Sequence, residues 1–119
     1  MQINGTIHFT ADELRRIGDA IDYIKKKYPR HVSSEELSEE VQLNSRTLQA
    51  GFRERTGLTI HHYQLQKRID KAMADLQNVE LSLKAITHQN GFKNTSQFGK
   101  AFKKITGKTP MEYRLQFLN

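Results

Sequence analysis

A direct internal repeat constrains this chain more than any other feature of its sequence. Residues 52–63 read FRERTGLTIHHY and residues 102–113 read FKKITGKTPMEY, so the two segments match at an offset of 50 residues. A repeated sequence folds into a repeated supersecondary unit. The chain is therefore predicted to contain two copies of one small motif. The recurring pairs are Phe52 and Phe102, Thr56 and Thr106, Gly57 and Gly107, Thr59 and Thr109, and Tyr63 and Tyr113.

The repeated motif has the pattern of three helices joined by short connections. Upstream of the matched segments, Asn44 pairs with Asn94 and Leu48 pairs with Phe98 at the same offset. Apolar residues recur every three or four positions, which is typical of helices, and a glycine ends the second helix of each copy. A short helix, a tight turn and a second helix form the helix-turn-helix arrangement.

Capping residues divide the chain into about seven helices, so the predicted fold class is all-α. Thr10 with Glu13, and Ser33 with Glu36, each have the spacing of a capping box. An apolar stripe predicts a long linking helix near residues 59–77. We expect a leader or linker over 1–9, a first helix-turn-helix subdomain over 10–58, the linking helix over 59–77 and a second subdomain over 78–119. The remaining predicted caps are Asn44 or Ser45, Thr59, Ser82, Asn94 and Thr109.

The net charge of +6 is unevenly distributed along the sequence. Residues 1–58 contain nine basic and nine acidic residues, whereas residues 59–119 contain ten basic and four acidic residues. A basic domain favours a polyanionic partner. Together with the duplicated helix-turn-helix pattern, this charge indicates binding to double-stranded DNA, mainly through the backbone in the second half.

Other classes of function lack their characteristic residues. The chain has no cysteine, and its five histidines form no HxxxH or HExxH pair. It also lacks a glycine-rich phosphate loop and a GxSxG motif. We therefore predict no enzyme activity, no metal and no cofactor. No apolar run approaches the ~18 residues that span a bilayer, so we expect a cytoplasmic protein with no membrane partner.

The second copy resembles the AraC family of transcription regulators over the segment ITHQNGFKNTSQFGKAFKKITGKTPMEYR, residues 86–114. The first copy matches through Leu37, Leu43, Leu48, Phe52 and Gly57. This resemblance implies a bacterial regulator whose two recognition helices enter adjacent major grooves, roughly 34 Å apart. It also implies RNA polymerase as a partner of activators, the commoner role, and an upstream effector-binding or dimerisation domain. The weakly patterned start fits either a small stand-alone regulator or a domain excised from such a longer chain, and slightly favours excision.

The sequence departs from the family pattern at three positions. Thr87 stands where the family usually has alanine. Gly51 and Gly99 lie inside the two predicted recognition helices, where glycine costs roughly 1 kcal/mol relative to alanine. Because Gly99 replaces the equivalent of Gln49, base recognition by the second copy is expected to be weak at that position.

Residues opposite the core face of each recognition helix are the candidate DNA contacts. Arginine can pair bidentately with guanine and glutamine with adenine, which makes Arg46 and Gln49 the best candidates for base recognition. Lysine and arginine side chains, and the starts of the third helices, can bind phosphate. The predicted base contacts are Ser45, Arg46, Gln49, Ala50, Thr95, Ser96 and Lys100. The predicted phosphate contacts are Arg53, Thr59, Lys103, Lys104, Lys108, Thr109 and Arg114.

The main alternative is a helical protein-interaction module with only non-specific affinity for nucleic acid. Helical hairpins without a DNA-binding role are common, but such a module would not need a basic second half. Phe92, Phe98 and Phe102 could stack on single-stranded bases, although their spacing favours packing in a core. Tyr63 and Tyr113 are likewise expected to face the core.

Overall fold

The computed structural model describes residues 2–3 and 6–118 of the chain. Of the predicted leader over 1–9, Met1, Asn4 and Gly5 lie outside the described residues. Two short antiparallel strands pair Gln2 with Ile7. Seven helices follow within the described residues, which confirms the all-α prediction. The elements are β1 (Gln2–Ile3), β2 (Thr6–Ile7), α1 (Ala11–Lys27), α2 (Ser34–Val41), α3 (Ser45–Thr56), α4 (Ile60–Leu76), α5 (Leu83–Gln89), α6 (Thr95–Thr106) and α7 (Pro110–Leu115).

The chain forms two compact units, one ending at Gln64 and the other beginning at Leu65. The long helix α4 therefore contributes its first residues to one unit and the rest to the other. Each unit has an apolar core of its own. The first core contains Ala20, Ile24, Val32, Leu37, Val41, Leu48, Phe52, Ile60 and Tyr63. The second contains Ile69, Ala72, Leu76, Ile86, Phe92, Phe98 and Phe102.

The repeated residues make the same contacts in both units. Phe52 and Tyr63 pack edge to face with ring centroids 5.1 Å apart, and Phe102 and Tyr113 do so at 5.6 Å. The Thr56 hydroxyl donates to the Phe52 carbonyl at 2.7 Å and accepts from the Leu58 amide at 3.1 Å. The repeat thus encodes the end of one helix and its packing on the next.

The same bonds recur in the second unit, where the Thr106 hydroxyl joins the carbonyl of Phe102 to the amide of Lys108. Gly57 and Gly107 then take left-handed backbone conformations, with φ of 77° and 83°. Glycine adopts positive φ without the steric penalty of a Cβ atom. The predicted glycine stops are therefore confirmed.

The predicted caps are found at the starts of the helices, with one correction. Thr10 and Glu13 form the expected capping box at α1, and Asn44 caps α3. Ser33 caps α2, but the Glu36 carboxylate bonds to Arg30 and Tyr23 instead of completing a capping box.

Candidate nucleic-acid interface

The helix-turn-helix of the first unit is formed by α2, a short turn and α3. Gln42 ends α2 in a left-handed conformation with φ of 56°, and the Ser38 hydroxyl donates to the Leu43 carbonyl inside the turn. Asn44 then accepts a hydrogen bond from the Thr47 amide at 2.8 Å and so begins α3. The turn is therefore held by side chains of its own segment.

The two faces of α3 differ sharply in burial. Leu48 and Phe52 are fully buried in the first core. On the opposite side Ser45, Arg46, Gln49 and Arg53 are exposed and Ala50 is half-buried. The Gln49 Nε2 atom donates to the Ser45 Oγ atom at 2.9 Å. All five residues predicted on the recognition face of α3 thus lie on one accessible polar surface.

Gly51 allows α3 to pack closely on α1. A Cβ atom at this position would lie 2.0 Å from Cδ1 and 2.8 Å from Cγ1 of Ile17, which is fully buried. Sequence reasoning treated Gly51 only as a weakness in helix propensity. Its role could not be read from the sequence, because the contact joins residues more than thirty positions apart.

A groove of about 540 Å³ runs beside α3 within the first unit. It is lined by residues from the start of α2, from α3 and from the start of α4, including Gln49, Ala50, Arg53 and Thr59. The Thr59 hydroxyl accepts a hydrogen bond from the His62 amide at 3.1 Å. The predicted phosphate contacts Arg53 and Thr59 therefore border the same groove as two of the predicted base contacts, Gln49 and Ala50.

In the second unit, α5 and α6 form the equivalent arrangement. Gly91 takes a positive φ of 82° in the turn, and Asn94 caps α6 through the Gln97 amide at 2.8 Å. Phe98 and Phe102 are buried. The opposite side of α6 and the segment after it carry the remaining predicted contacts. Thr95, Ser96, Lys100, Lys103, Lys104 and Lys108 are exposed, and Thr109 is half-buried.

A buried carboxylate fixes the turn of the second unit. Asp75 on α4 accepts hydrogen bonds from the side-chain amides of Asn90 and Gln89, both at 2.9 Å, and from Lys71 at 3.1 Å. Burial acts to raise the pKa of Asp75, but these hydrogen bonds outweigh it and hold the pKa below its usual value. Sequence reasoning missed this cluster, because its members are separated by up to nineteen positions.

Arg114 has a different role from the predicted phosphate contact. The residue is 8% exposed, and its guanidinium donates to the carbonyls of Leu76 at 3.0 Å, Asn78 at 3.1 Å and Leu81 at 2.6 Å. These bonds tie α7 to the end of α4 and to the segment before α5. Arg114 is therefore part of the scaffold that supports the second helix-turn-helix.

Gln64 occupies the equivalent position in the first repeat. It follows Tyr63 as Arg114 follows Tyr113, and its amide accepts from the Val32 N–H and donates to the Val32 carbonyl, both at 2.8 Å. Val32 precedes the cap of α2, as Leu81 precedes the cap of α5. We call Gln64 and Arg114 the repeat latches. The sequence signal for them was the shared position after the repeated tyrosine.

Neither a membrane-crossing helix nor a metal cluster is found in the described part of the chain. Among residues 2–3 and 6–118, no helix combines the length and apolar character that crossing a bilayer requires. Within the same residues, no group of three or more His, Cys, Asp or Glu side chains could hold a metal ion. The exposed faces of α3 and of α6 each carry polar side chains that can form hydrogen bonds.

Comparison with known proteins identifies the fold. A family model described as a helix-turn-helix domain matches residues 37–116. An uncharacterized HTH-type transcriptional regulator of Staphylococcus aureus is 33% identical over 99 residues, which cover 83% of this chain and 13% of that protein. The chain thus spans about an eighth of the length of this relative.

Two solved structures share the fold at lower sequence identity. A transcriptional regulator from Chromobacterium violaceum, with an AraC-type DNA-binding domain, has a TM-score of 0.77 at 22% identity, covering 91% of this chain and 96% of the other. The DNA-binding domain of AdpA, solved in complex with a target DNA, has a TM-score of 0.78 at 19% identity, covering 86% and 92%. With the family model, the fold and the repeated motifs in agreement, the chain belongs to the helix-turn-helix domain family, as a member of the AraC type.

Proposed function

We propose that this chain binds double-stranded DNA at specific sequences and regulates transcription, with α3 and α6 as recognition helices in adjacent major grooves. The observation that carries the proposal is the accessible polar face of α3, which lies opposite its buried residues. An α-helix fits the major groove of B-DNA, where each base pair presents a distinct pattern of donors and acceptors. The family and the AdpA complex with DNA support this proposal.

The first unit supplies most of the base recognition in this proposal. Arg46 suits the two acceptors of guanine, Gln49 suits adenine, and the Ala50 methyl suits the methyl group of thymine. Ser45 lies beside Gln49 at the start of α3. Arg53 and Thr59 border the groove next to these residues, where a phosphate of the DNA backbone would lie.

The second unit binds mainly through the DNA backbone. Thr95 and Ser96 are small and discriminate weakly between bases, and Lys100 can contact guanine or phosphate. Lys103, Lys104 and Lys108 are exposed and cationic, and Thr109 begins α7. Phosphate contacts of this kind position a protein on DNA without reading its sequence.

The resemblance extends the proposal to the whole regulator. A longer parent protein would add an effector-binding or dimerisation domain and would contact RNA polymerase when it activates transcription in the cytoplasm. The low coverage of the S. aureus relative supports a longer parent, because most of that protein lies outside the match.

Selection of bound sites from random duplex DNA, at two salt concentrations, tests the proposed function. We expect enrichment of a motif with two elements about one helical turn apart. A single element would assign the second unit to backbone binding alone. Binding that enriches no motif and weakens steeply with salt would leave only non-specific charge attraction, and would favour the protein-interaction module instead.

Arg46→Ala tests the role of α3 on the selected site. We expect specific binding to weaken by about 1–3 kcal/mol and base preference to relax at one position. Arg15→Ala is the matched control, since Arg15 is an exposed arginine of α1 in the same unit, paired with Asp12 and Asp19. Equal weakening of Arg46→Ala on every sequence would make Arg46 a phosphate contact.

A further inference from the structure

We propose that Ser45 and Gln49 form an adenine-reading pair on α3, in which Ser45 orients the Gln49 amide for the base. The inference rests on the DNA-binding function proposed above and assigns one of its specificity determinants. It gives Ser45 the role of a positioning residue, in place of the direct base contact predicted from the sequence.

The two residues lie one helical turn apart on the exposed face. The Gln49 Nε2 atom donates one of its two N–H groups to the Ser45 Oγ atom at 2.9 Å. A free glutamine side chain samples many rotamers and loses that freedom on binding. The hydrogen bond to Ser45 restricts the side chain beforehand and fixes which end of the amide points toward the start of α3. Ser45 itself is held in the first turn, directly after the cap residue Asn44.

The remaining groups of the amide match one base. With one N–H bound to Ser45, Gln49 has one N–H donor and the Oε1 acceptor left for DNA. Adenine presents one acceptor, N7, and one donor, the N6 amino group, in the major groove. Guanine presents two acceptors there, and a second amide donor is no longer available for it. Cytosine presents a donor alone, and thymine an acceptor and a methyl group.

The second unit provides a natural comparison, because it has only half of this pair. Thr95 and Gly99 of α6 lie at the positions equivalent to Ser45 and Gln49, fifty residues on. The hydroxyl is therefore present and the amide is missing. A Cβ atom added at Gly99 would meet nothing within 4 Å, so a glutamine side chain can start there without a clash.

The first experiment removes the hydroxyl. Site selection with wild type and Gln49→Ala identifies the base pair whose preference depends on Gln49, and four duplexes varied at that pair are then compared by equilibrium binding. We expect wild type to prefer adenine over guanine by about ten-fold to a hundred-fold. Ser45→Ala should lower this ratio roughly three- to ten-fold. Ser45→Thr, which keeps a hydroxyl group, should retain the wild-type ratio. Thr47→Ala, the matched control, removes the hydroxyl of a half-buried residue of the same helix and should leave the ratio unchanged.

Two results of this experiment would overturn the proposal that Ser45 and Gln49 read adenine as a pair. One is a guanine preference at the Gln49 position, with the serine O–H and the amide N–H both donating to the base. The other is a Ser45→Ala variant whose adenine-to-guanine ratio equals that of wild type. In both cases wild type still selects a motif, so the proposed DNA-binding function stands. If the proposed DNA-binding function is wrong, wild type should instead show no base preference at any position.

The second experiment builds the pair in α6. Gly99→Gln should create a new adenine preference at one position outside the element read by α3, and Gly99→Gln with Thr95→Ala should lose it again. Thermal unfolding of both variants establishes that α6 is intact. A folded Gly99→Gln variant that still accepts all four bases equally would overturn the claim that a hydroxyl and an amide at this spacing read adenine by themselves.

Discussion

Gly51 and Gly99 lie inside the two recognition helices, yet a methyl group at the two positions would meet different surroundings. At Gly51 it would overlap the buried side chain of Ile17, whereas at Gly99 it would meet open space. Glycine weakens a helix equally in both places, because that effect comes from the backbone. The difference in stability must therefore come from packing.

Alanine substitution at the two glycines tests this difference. Overpacking a core costs about 1–3 kcal/mol, and the gain in helix propensity returns about 1 kcal/mol. We expect Gly51→Ala to lower the free energy of unfolding by up to about 2 kcal/mol and Gly99→Ala to raise it by up to about 1 kcal/mol. Urea unfolding of the two variants and wild type measures both. If Gly51→Ala and Gly99→Ala change the free energy of unfolding equally, the contact between α1 and α3 is looser than the structure indicates.

Glu36 gives the first unit a pH-dependent contact. Hydrogen bonds from Arg30 and then from Tyr23 lower the pKa of Glu36 from 4.5 to about 2. A carboxylate with a lowered folded-state pKa stabilises the fold above its unfolded pKa, and this contribution is lost as the pH falls through the folded value. The stabilisation is therefore present above pH 4.5 and disappears between about pH 4.5 and pH 2.

Glu36→Gln should therefore have a lower free energy of unfolding than wild type at pH 7. This difference should disappear as the pH falls from about 4.5 to about 2. Urea unfolding at several values between pH 7 and pH 2.5 measures the difference. Glu39→Gln, an exposed residue of the same helix, is the control and should follow wild type throughout. If the difference in the free energy of unfolding between Glu36→Gln and wild type stays constant with pH, ionisation of Glu36 is excluded as its cause.

Residues whose role is local could be predicted from the sequence, whereas those with distant partners could not. Thr10, Asn44 and Asn94 bond to backbone groups three positions away, so their sequence context was sufficient. The capping box at Ser33 was wrong because Glu36 has a competing partner in Arg30. Gly51 depends on Ile17, which no local pattern could indicate.

At the scale of helices and turns, the two repeats use the same position for different latches. Gln64 forms two hydrogen bonds to one residue, Val32, whereas Arg114 reaches three carbonyls. Both join the third helix of a repeat to the segment that precedes the first helix of that repeat. The latch therefore holds the helix-turn-helix from a neighbouring segment, and the side chain of the buried Arg114 makes its hydrogen bonds within the fold.

Arg114→Ala should destabilise the second unit without a direct effect on phosphate contacts. Hydrogen bonds from charged groups contribute about 1.5–3 kcal/mol, and unsatisfied buried carbonyls add a penalty. We expect the free energy of unfolding to fall by about 2–4 kcal/mol, as measured by urea unfolding. Lys104→Ala, an exposed residue of α6, should change it by less than about 0.5 kcal/mol. A fully stable Arg114→Ala variant that binds all DNA weakly would restore the predicted phosphate contact.

The helices of the two repeats were largely predictable, because the sequence signals for their boundaries occur once in each repeat. Gly57 and Gly107 end α3 and α6 in the same conformation, as the sequence predicted. The recognition face of α3 followed from placing Leu48 and Phe52 inward. The Asp75 cluster with Asn90 could not be foreseen, since a buried aspartate on an amphipathic helix resembles a solvated one in sequence.

For the whole molecule, the uneven charge leads us to expect that sequence specificity and electrostatic affinity for DNA come from different halves of the chain. The first 58 residues carry no net charge, and the basic excess of the chain lies beyond them. The residues best suited to base recognition are on α3, whereas most of the exposed lysines proposed to bind phosphate follow the start of α6. Salt should therefore weaken the contribution of the second unit more strongly than that of the first.

The salt dependence of binding to the selected site tests this division. Each phosphate contact neutralised by lysine releases condensed counterions and contributes about 0.9 to the slope of log K against log salt. We expect Lys104→Ala to reduce that slope by about 0.9 and to weaken binding equally on specific and random DNA. Lys25→Ala removes the same charge from α1 of the first unit and should leave the slope unchanged. If Lys25→Ala reduces the slope as much as Lys104→Ala does, the effect reflects net charge alone, and α6 has no privileged contact with the backbone.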